Sequence, residues 1–388
     1  MRLLGSAIAF SFLLASSARA DPVEWSIRLL AAETSWATTA ATGINESGHV
    51  SGFHSDAGYL NAHAVLWSGS GYVDVESAFG IPVGKDESLA HGLNDNGQIV
   101  GTTFASDPSD FGIAILWDSG AGTFTDLSAR VAAHDYGRAF SVNNHGAVVG
   151  QVFDALGSGI PQLAYYWSAD GSSDRLLPSL AGLDSAMAAA INDAGWAVGS
   201  SFDSTTFLRR ATAWAPDGSV VDVHSLLVAI DPAVTSSAAT GVTADGTIVG
   251  SATANDGGVT RRFAWTWSPT GGFTVLPGGG NTGLLGPQGD GAFVVGGLGN
   301  PFAFALRAVV WVDGIGPLAL PTIDGFGNSA ALAVNTLGVI AGDSAYAGNL
   351  FPQQGGRSWI ATPIPEPATL LLVAVAPLLL LARRKWRG

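Results

Sequence analysis

The chain has 388 residues, with 31 acidic against 17 basic side chains, a formal net charge of −14 and 52 glycines. It contains no cysteine, which excludes a disulfide framework, a thiolate metal site and a cysteine nucleophile. The acidic balance argues against nucleic acid or an anionic polymer as partner, because like charges repel.

Met1-Arg2 makes a short basic start, Leu3 to Ala15 an apolar stretch, and Ala18-Arg19-Ala20 a small-x-small cleavage site. This order predicts a secretory signal peptide over residues 1–20, cut after Ala20. Residues 21–365 hold 30 acidic and 11 basic side chains, so the mature body carries a charge near −19. Its first element is a strand over Trp25-Ser-Ile-Arg-Leu-Leu30.

From residue 41 the chain repeats. Ala41-Thr-Gly-Ile-Asn-Glu-Ser-Gly-His-Val-Ser-Gly52 aligns with Ala90–Gly101, Ala139–Gly150, Ala188–Gly199, Ala239–Gly250 and Ala331–Gly342, and a degenerate copy ends at Gly296. The closing glycines at 52 and 342 are six repeats and 290 residues apart, a mean period of about 48 residues, which is a propeller-blade length. In the full copies other than Ala239–Gly250, which has Thr243, Asn-x-x-Gly starts a type I turn and places Gly in the left-handed position after it, making a hairpin. A tryptophan follows each closing glycine by 15 to 17 residues: Trp67, Trp117, Trp167, Trp214, Trp267 (with Trp265 competing), Trp311 and Trp359. A turn and a short strand such as Tyr72–Val75 or Thr123–Leu127 come next, giving four strands per unit. One tryptophan per unit at a fixed place reads as sheet-to-sheet core.

The first strand has small alternate residues: Ala41/Gly43, Ala90/Gly92, Ala139/Ser141, Ala188/Ala190, Ala239/Gly241 and Ala331/Ala333. Period two puts them on one face, as an innermost strand near an axis needs. Tightly stacked solenoid coils are the alternative. The seventh unit lacks a fourth strand after Trp359, and the strand at Trp25–Leu30 is spare. Pairing the two would close a ring and remove exposed edges. The predicted fold is therefore all-β, a seven-bladed β-propeller over residues 21–362, closed by its N-terminal strand.

These units resemble the extracellular HAF repeat, through His63-Ala64-Val65 before Leu66-Trp67, with the histidine replaced in Arg262-Phe263-Ala264 and Arg307-Ala308-Val309. The resemblance covers about residues 40–360 and implies an exported β-repeat protein. That family carries no established activity.

The chain ends in Pro363-Ile-Pro-Glu-Pro-Ala-Thr, an apolar run, and the cations Arg383, Arg384, Lys385 and Arg387. The apolar segment 368–382 is 15 residues, roughly 22 Å as a helix against a membrane core of about 30 Å. Pro377 is tolerable there, and the cations would stop transfer on the cytoplasmic side. Pro365-Glu366-Pro367 ahead of such a segment resembles the PEP-CTERM sorting signal. The resemblance covers residues 363–388 and implies a Gram-negative envelope, an exosortase-type membrane protease as partner, and a temporary anchor. A permanent single-span anchor is the simpler alternative.

Chemistry-bearing motifs are sparse. Six of the seven histidines (49, 54, 63, 91, 134, 145 and 224) lie in the first three units, without zinc-ligand spacing. His91, on an innermost strand, is expected to face the channel, and His49 and His145 to point outward from turns. Acids gather at turns, as in Asn94-Asp95-Asn96-Gly97, Asn192-Asp193, Asp245 and Asp290. Turn chemistry accounts for them, and the twelve-residue calcium loop is missing. No cofactor is expected, and calcium in the channel or between blades stays open. There is no G-x-S-x-G elbow and no phosphate loop. Paired carboxylates from distant strands would leave no spacing signature. Trp36 and Trp196 fall outside the repeated tryptophan place and, with His91, are the candidate ligand surface. The leading expectation is a non-catalytic binding or structural protein of the cell surface or matrix, associated with extracellular polysaccharide. The alternative is a propeller hydrolase or lyase acting on such a polymer; a sensor ectodomain is disfavoured. A channel lined by small and apolar side chains would favour the first. Two carboxylates and a histidine within hydrogen-bond reach at its mouth would favour the second.

Overall fold

The computed structural model describes residues 24–364 apart from 34, 57–60, 108, 132, 155–158, 279–282, 291, 301–304, 313–314, 324 and 346–355. The expected signal peptide with Ala20, Pro365-Glu366-Pro367, the 368–382 segment and the basic tail lie outside these residues. Among the described residues no helix is long and apolar enough to cross a membrane.

Seven four-stranded sheets carry the compact unit Ser26–Thr362. After β1 (Glu24–Leu29), blade 1 holds β2 (Thr38–Ile44), β3 (Val50–Ser55), β4 (His63–Ser68) and β5 (Gly71–Asp74). Blade 2 holds β6 (Glu87–Leu93), β7 (Gln98–Phe104), β8 (Ile113–Asp118) and β9 (Thr123–Asp126). Blade 3 has β10 (Tyr136–Val142), β11 (Val148–Phe153), β12 (Leu163–Trp167) and β13 (Arg175–Leu176). Blade 4 has β14 (Ser185–Ile191), β15 (Ala197–Phe202), β16 (Arg209–Trp214) and β17 (Val220–Asp222). Blade 5 comprises β18 (Val234–Val242), β19 (Ile248–Asp256), β20 (Val259–Ser268) and β21 (Gly272–Val275). Blade 6 comprises β22 (Gly283–Asp290), β23 (Phe293–Asn300), β24 (Ala305–Val312) and β25 (Ile315–Ala319). Blade 7 is β26 (Asn328–Val334), β27 (Ile340–Ala345) and β28 (Arg357–Ile364), with β1 as its fourth strand.

Each blade is an antiparallel meander, and the first strands touch in succession from β2 round to β26 and back to β2. The ring is closed as the spare strand suggested. Leu30 N donates to Ser358 O (2.9 Å) and Ser26 Oγ to Thr362 O, contacts that run in opposite senses along β1 and β28. The repeated turns form as read, with Thr243 in the asparagine place of the fifth: Gly48, Gly97, Gly146, Gly195, Gly246 and Gly338 all have φ between +74° and +85°.

The small residues of the first strand differ from the reading that put them on one face. A β-bulge falls between the two members of every pair, from Ala41/Gly43 to Ala331/Ala333. The first member is fully buried, whereas the second is only partly so in every pair but Ala239/Gly241. The bulge also explains the closing glycines. A Cβ on Gly101, Gly150 or Gly199 would sit 1.9 Å from the facing carbonyl oxygen of Leu89, Arg138 or Met187. No side chain fits there.

The tryptophans need a second correction. Trp67, Trp117, Trp167, Trp214, Trp267 and Trp311 share one register, two residues from the closing glycine's partner. In blade 7 Trp359 instead faces Gly342, and Ala361 takes the usual place. In blade 5 Trp265 lies over Gly250 and is fully buried, leaving Trp267 half-buried. The blade is also not purely β. Asp74 and Asp222 end their strands by capping the helices α1 (Val75–Phe79) and α2 (Val223–Ile230), accepting from Ser77 N and Ser225 N. Val75, read as strand, is therefore helical.

Candidate functional site

Residues of six first strands line a channel pocket of about 300 Å³ on the ring axis. The residue left unpaired by each bulge is Thr42, His91, Phe140, Ala189, Thr240 or Leu332. All but Thr240 face this pocket, because a bulge turns its extra side chain out of the ladder. Small and apolar residues such as Gly43, Gly92, Ala190, Ile191, Val242 and Ala333 share the remaining wall with the turn residues Asn45, Glu46, Asn94, Asp95, Asn144 and Asp193, and polar groups make the larger part of the exposed lining.

His91 therefore faces the channel, as expected. Its Nε2 lies 3.1 Å from Thr102 Oγ1 on the next strand, and its ring is tilted against Phe140 at 5.5 Å. Burial, with the charge of Arg138 adding to it, pushes the imidazole down to about 4, so it is neutral at pH 7.

At the mouth the repeated asparagines do more than make turns. The side-chain oxygen of Asn143 accepts from His145 N (3.1 Å) and Ala147 N (2.9 Å), fixing the hairpin. Its Nδ2 donates to Asn192 O of the next blade at 3.0 Å. Asn335 to Asn45, Asn45 to Asn94, Asn94 to Asn143, and Asn192 to Thr243 repeat the link at 2.9–3.2 Å. A buried amide girdle thus ties five consecutive blade junctions, each bond adding on the order of 1 kcal/mol. It stops at Thr243, whose hydroxyl has no second donor and bonds Asp245 in its own turn.

The neighbouring turn residues form a parallel chain. Thr336 N donates to Glu46 Oε1 (2.9 Å), Glu46 N to Asp95 Oδ1 (2.8 Å), Asp95 N to Asn144 Oδ1 (2.9 Å), and Asn144 N to Asp193 Oδ1 (2.7 Å). Asn144 Nδ2 then bridges Asp95 Oδ2 and Asp193 Oδ2 at 2.9 and 3.1 Å. The mouth acids are thereby engaged as acceptors between blades. His145 Nδ1 stands 4.0 Å from Asp193 and is largely exposed.

The other proposed ligand residues do not join this site. Trp36 is buried: its indole stacks on His54 at 3.9 Å and meets the Tyr72 edge at 4.7 Å. It is not a surface platform. Trp196 is half-buried and packs against the blade 5 core. His54 and His63 face each other across β3 and β4, with rings 5.4 Å apart. His63 Nδ1 meets Glu76 Oε2 at 2.9 Å, which raises its pKa, and the other oxygen of Glu76 accepts from Ser88 of blade 2. Burial pushes Asp74 up, but His54 and the Ser77 N–H outweigh it and hold the carboxyl down at about 2. This cluster clamps α1 to its neighbours. His49 is half-buried at its turn, His134 bonds Asp154 (3.0 Å), and buried His224 bonds Ser237 (2.8 Å). Among the described residues no three His or acidic side chains are placed to hold a metal ion.

A further set of fastenings was not anticipated. Ser88, Ser237, Ser329 and Thr39 accept the backbone N–H of Ala64, Ala211, Ala308 and Ser358 in the preceding blade, at 2.8–3.0 Å. The sequence carried a signal for it, a Ser or Thr two residues before the first-strand alanine in these four repeats.

No protein-family model matches the chain, and no curated protein matches it. Solved structures do. One from a study of two prolyl endopeptidases is 10% identical, with a TM-score of 0.51, over 80% of this chain and 47% of the other. The acylaminoacyl peptidase of Pyrococcus horikoshii in its orthorhombic form is 9% identical, with a TM-score of 0.50, over 88% and 54%. The β-propeller domain of the Trilobed protease from Pyrococcus furiosus is 9% identical, with a TM-score of 0.47, over 85% and 98%. The chain spans about half the length of the first two. At such identity the likeness extends to the fold alone.

Proposed function

We propose that the protein is exported, held briefly at the inner membrane by its C-terminal segment, and released to the cell surface or matrix by an exosortase-type protease. There the propeller acts as a non-catalytic binding or structural unit, associated with extracellular polysaccharide. Residues 1–20 and 363–388 support the route. One observation supports the non-catalytic role: the histidine that faces the channel bonds Thr102 rather than a carboxylate. Against the hydrolase or lyase reading, the mouth carboxylates Asp95 and Asp193 are engaged as acceptors between blades, and His145 stands 4.0 Å from Asp193.

Glycan-array binding by the 21–362 fragment, with and without calcium, tests the role. Binding to a polysaccharide class is expected, and no binding in either condition counts against it. For the route, replacing Pro365-Glu366-Pro367 by alanines should leave the full-length form in the membrane. Unaltered release would refute processing at that site.

A further inference from the structure

We propose that the cleft between blades 5 and 6 is a binding subsite for an uncharged polysaccharide, with the Trp267 indole as its stacking face. This rests on the polysaccharide reading above and places it away from the axial channel.

The first observation is a surplus tryptophan. At the shared register Trp67, Trp117, Trp167, Trp214 and Trp311 are at most 3% exposed. Each donates its indole N–H to a backbone carbonyl, those of Ala31, Gly80, Leu127, Pro178 and Pro277. Blade 5 fills its core with Trp265 instead. Trp267 is left half-buried on the cleft wall, and its N–H has no protein partner among the described residues. Packing does not need this side chain in the way it needs the other five.

The second observation is the opening itself. The matching position between blades 2 and 3 is a cavity of about 180 Å³, crossed by Arg130, which grips Ser168 O and both oxygens of Asp174. Arg28 reaches Gly69 O in blade 1, and Arg175 reaches Pro216 O in blade 4, in the same sense. Residues 263–306, which carry the fourth strand of blade 5 and the connection to blade 6, contain no arginine or lysine, and Arg261 on the third strand is held by Asp231 and Asp256, so no equivalent of Arg130 follows that fourth strand. The amide girdle also ends at Thr243, on this cleft's edge. The cleft there is about 530 Å³, within the roughly 300–1,000 Å³ of small-ligand sites.

The third is the lining. Thr247, Thr266 and Thr274 offer hydroxyls, Asp245 an exposed carboxylate, and Trp267 an aromatic face. A sugar ring matches this set, with its C–H face on the indole and its hydroxyls on the threonines and the carboxylate. A lipid would leave the hydroxyls unmatched, and an acidic glycan would meet Asp245 and the negative body.

The test is glycan-array binding by the full chain in detergent, with neutral, amino-sugar and acidic glycans displayed. Neutral glycans should bind, Trp267→Ala should weaken binding at least tenfold, and Trp267→Phe, which keeps a stacking ring, only severalfold. Thr274→Ala, an exposed change that leaves the fold intact, should also weaken binding severalfold. Undiminished binding by folded Trp267→Ala and Thr274→Ala chains would overturn the site while leaving the polysaccharide reading standing. Absence of binding by the unaltered chain would remove both. Trp267-dependent binding confined to acidic or amino-sugar glycans would overturn the assignment to uncharged polymers.

Discussion

Asp343, buried on the second strand of blade 7, accepts the backbone N–H of Ala41 in blade 1 at 2.9 Å. The same oxygen accepts from Ser358 Oγ at 2.8 Å, so a carboxyl out of water fastens the junction where the ring closes. Burial pushes it up to about 7, although both hydrogen bonds work the other way.

Between about pH 4 and 7 folded Asp343 keeps a proton that the unfolded chain has released. The folded state then binds more protons, so this residue's contribution is full below pH 4, falls as pH rises, and is lost above about 7. The whole effect is on the order of 4 kcal/mol. Asp343→Asn keeps an acceptor for both donors and removes the charge. It should raise stability at pH 8 by about 1–3 kcal/mol and flatten the decline between pH 5 and 8. Urea melts at the two pH values check this, and a variant less stable at pH 8 would sink it.

The girdle makes a sharper demand on one atom type. Asn143→Asp preserves the oxygen that fixes the turn but sets a second oxygen against Asn192 O, which now receives a hydrogen bond. Despite its near-identical shape it should cost about 2–4 kcal/mol at pH 7. Asn143→Ser, which can still accept from the turn, should cost less. Thermal melts of the two variants decide it. An Asp variant as stable as the unaltered chain would mean that the amide link carries no weight.

The sequence could show the period, the turn and the spare strand because each is a local pattern or a count. Asn143 looked like a turn residue because its other partner, Asn192, lies 49 positions away. The bulge at Ala139/Ser141 was hidden because alternation looks regular across one inserted residue until the opposing strand is paired. Trp267 was preferred over Trp265 on spacing alone, while the choice between them is made by room over Gly250. The two helices were legible in principle. Asp74-Val-Glu-Ser77 and Asp222-Val-His-Ser225 both place a capping aspartate three residues before a serine. His91 could be placed in the channel from its strand, but its bond to Thr102 needed the register.

Two glycines of one repeat type should respond very differently to alanine. At Gly150 the new methyl would lie 1.9 Å from Arg138 O, a contact that only backbone movement relieves. At Gly48 the methyl meets nothing within 4 Å, and only its φ of +75° resists. Gly150→Ala should cost at least about 3 kcal/mol or prevent folding, and Gly48→Ala about 1 kcal/mol. Soluble yield and melting temperature rank them. Equal tolerance would contradict the bulge as the reason for the closing glycine.

The Arg130 crossing between blades 2 and 3 depends on planar geometry as well as charge. Nε and Nη2 bond the two oxygens of Asp174 at 2.9 and 2.6 Å, and Nη2 also reaches Ser168 O at 2.6 Å. The Arg130 and Asp174 side chains are 24% and 11% exposed, so water screens the pair only in part. Asp174 keeps the Ser168 N–H and hydroxyl after Arg130 is cut, which limits the loss. Arg130→Ala should therefore cost about 1–3 kcal/mol. Arg130→Lys retains the charge but not the fork, so it should recover less than half of that. A double-mutant cycle with Asp174→Asn isolates the coupling. Measured at low and high salt, the coupling should persist. One that vanishes in salt would mark the contact as an ordinary surface pair and leave the narrow cavity between these blades without its cause.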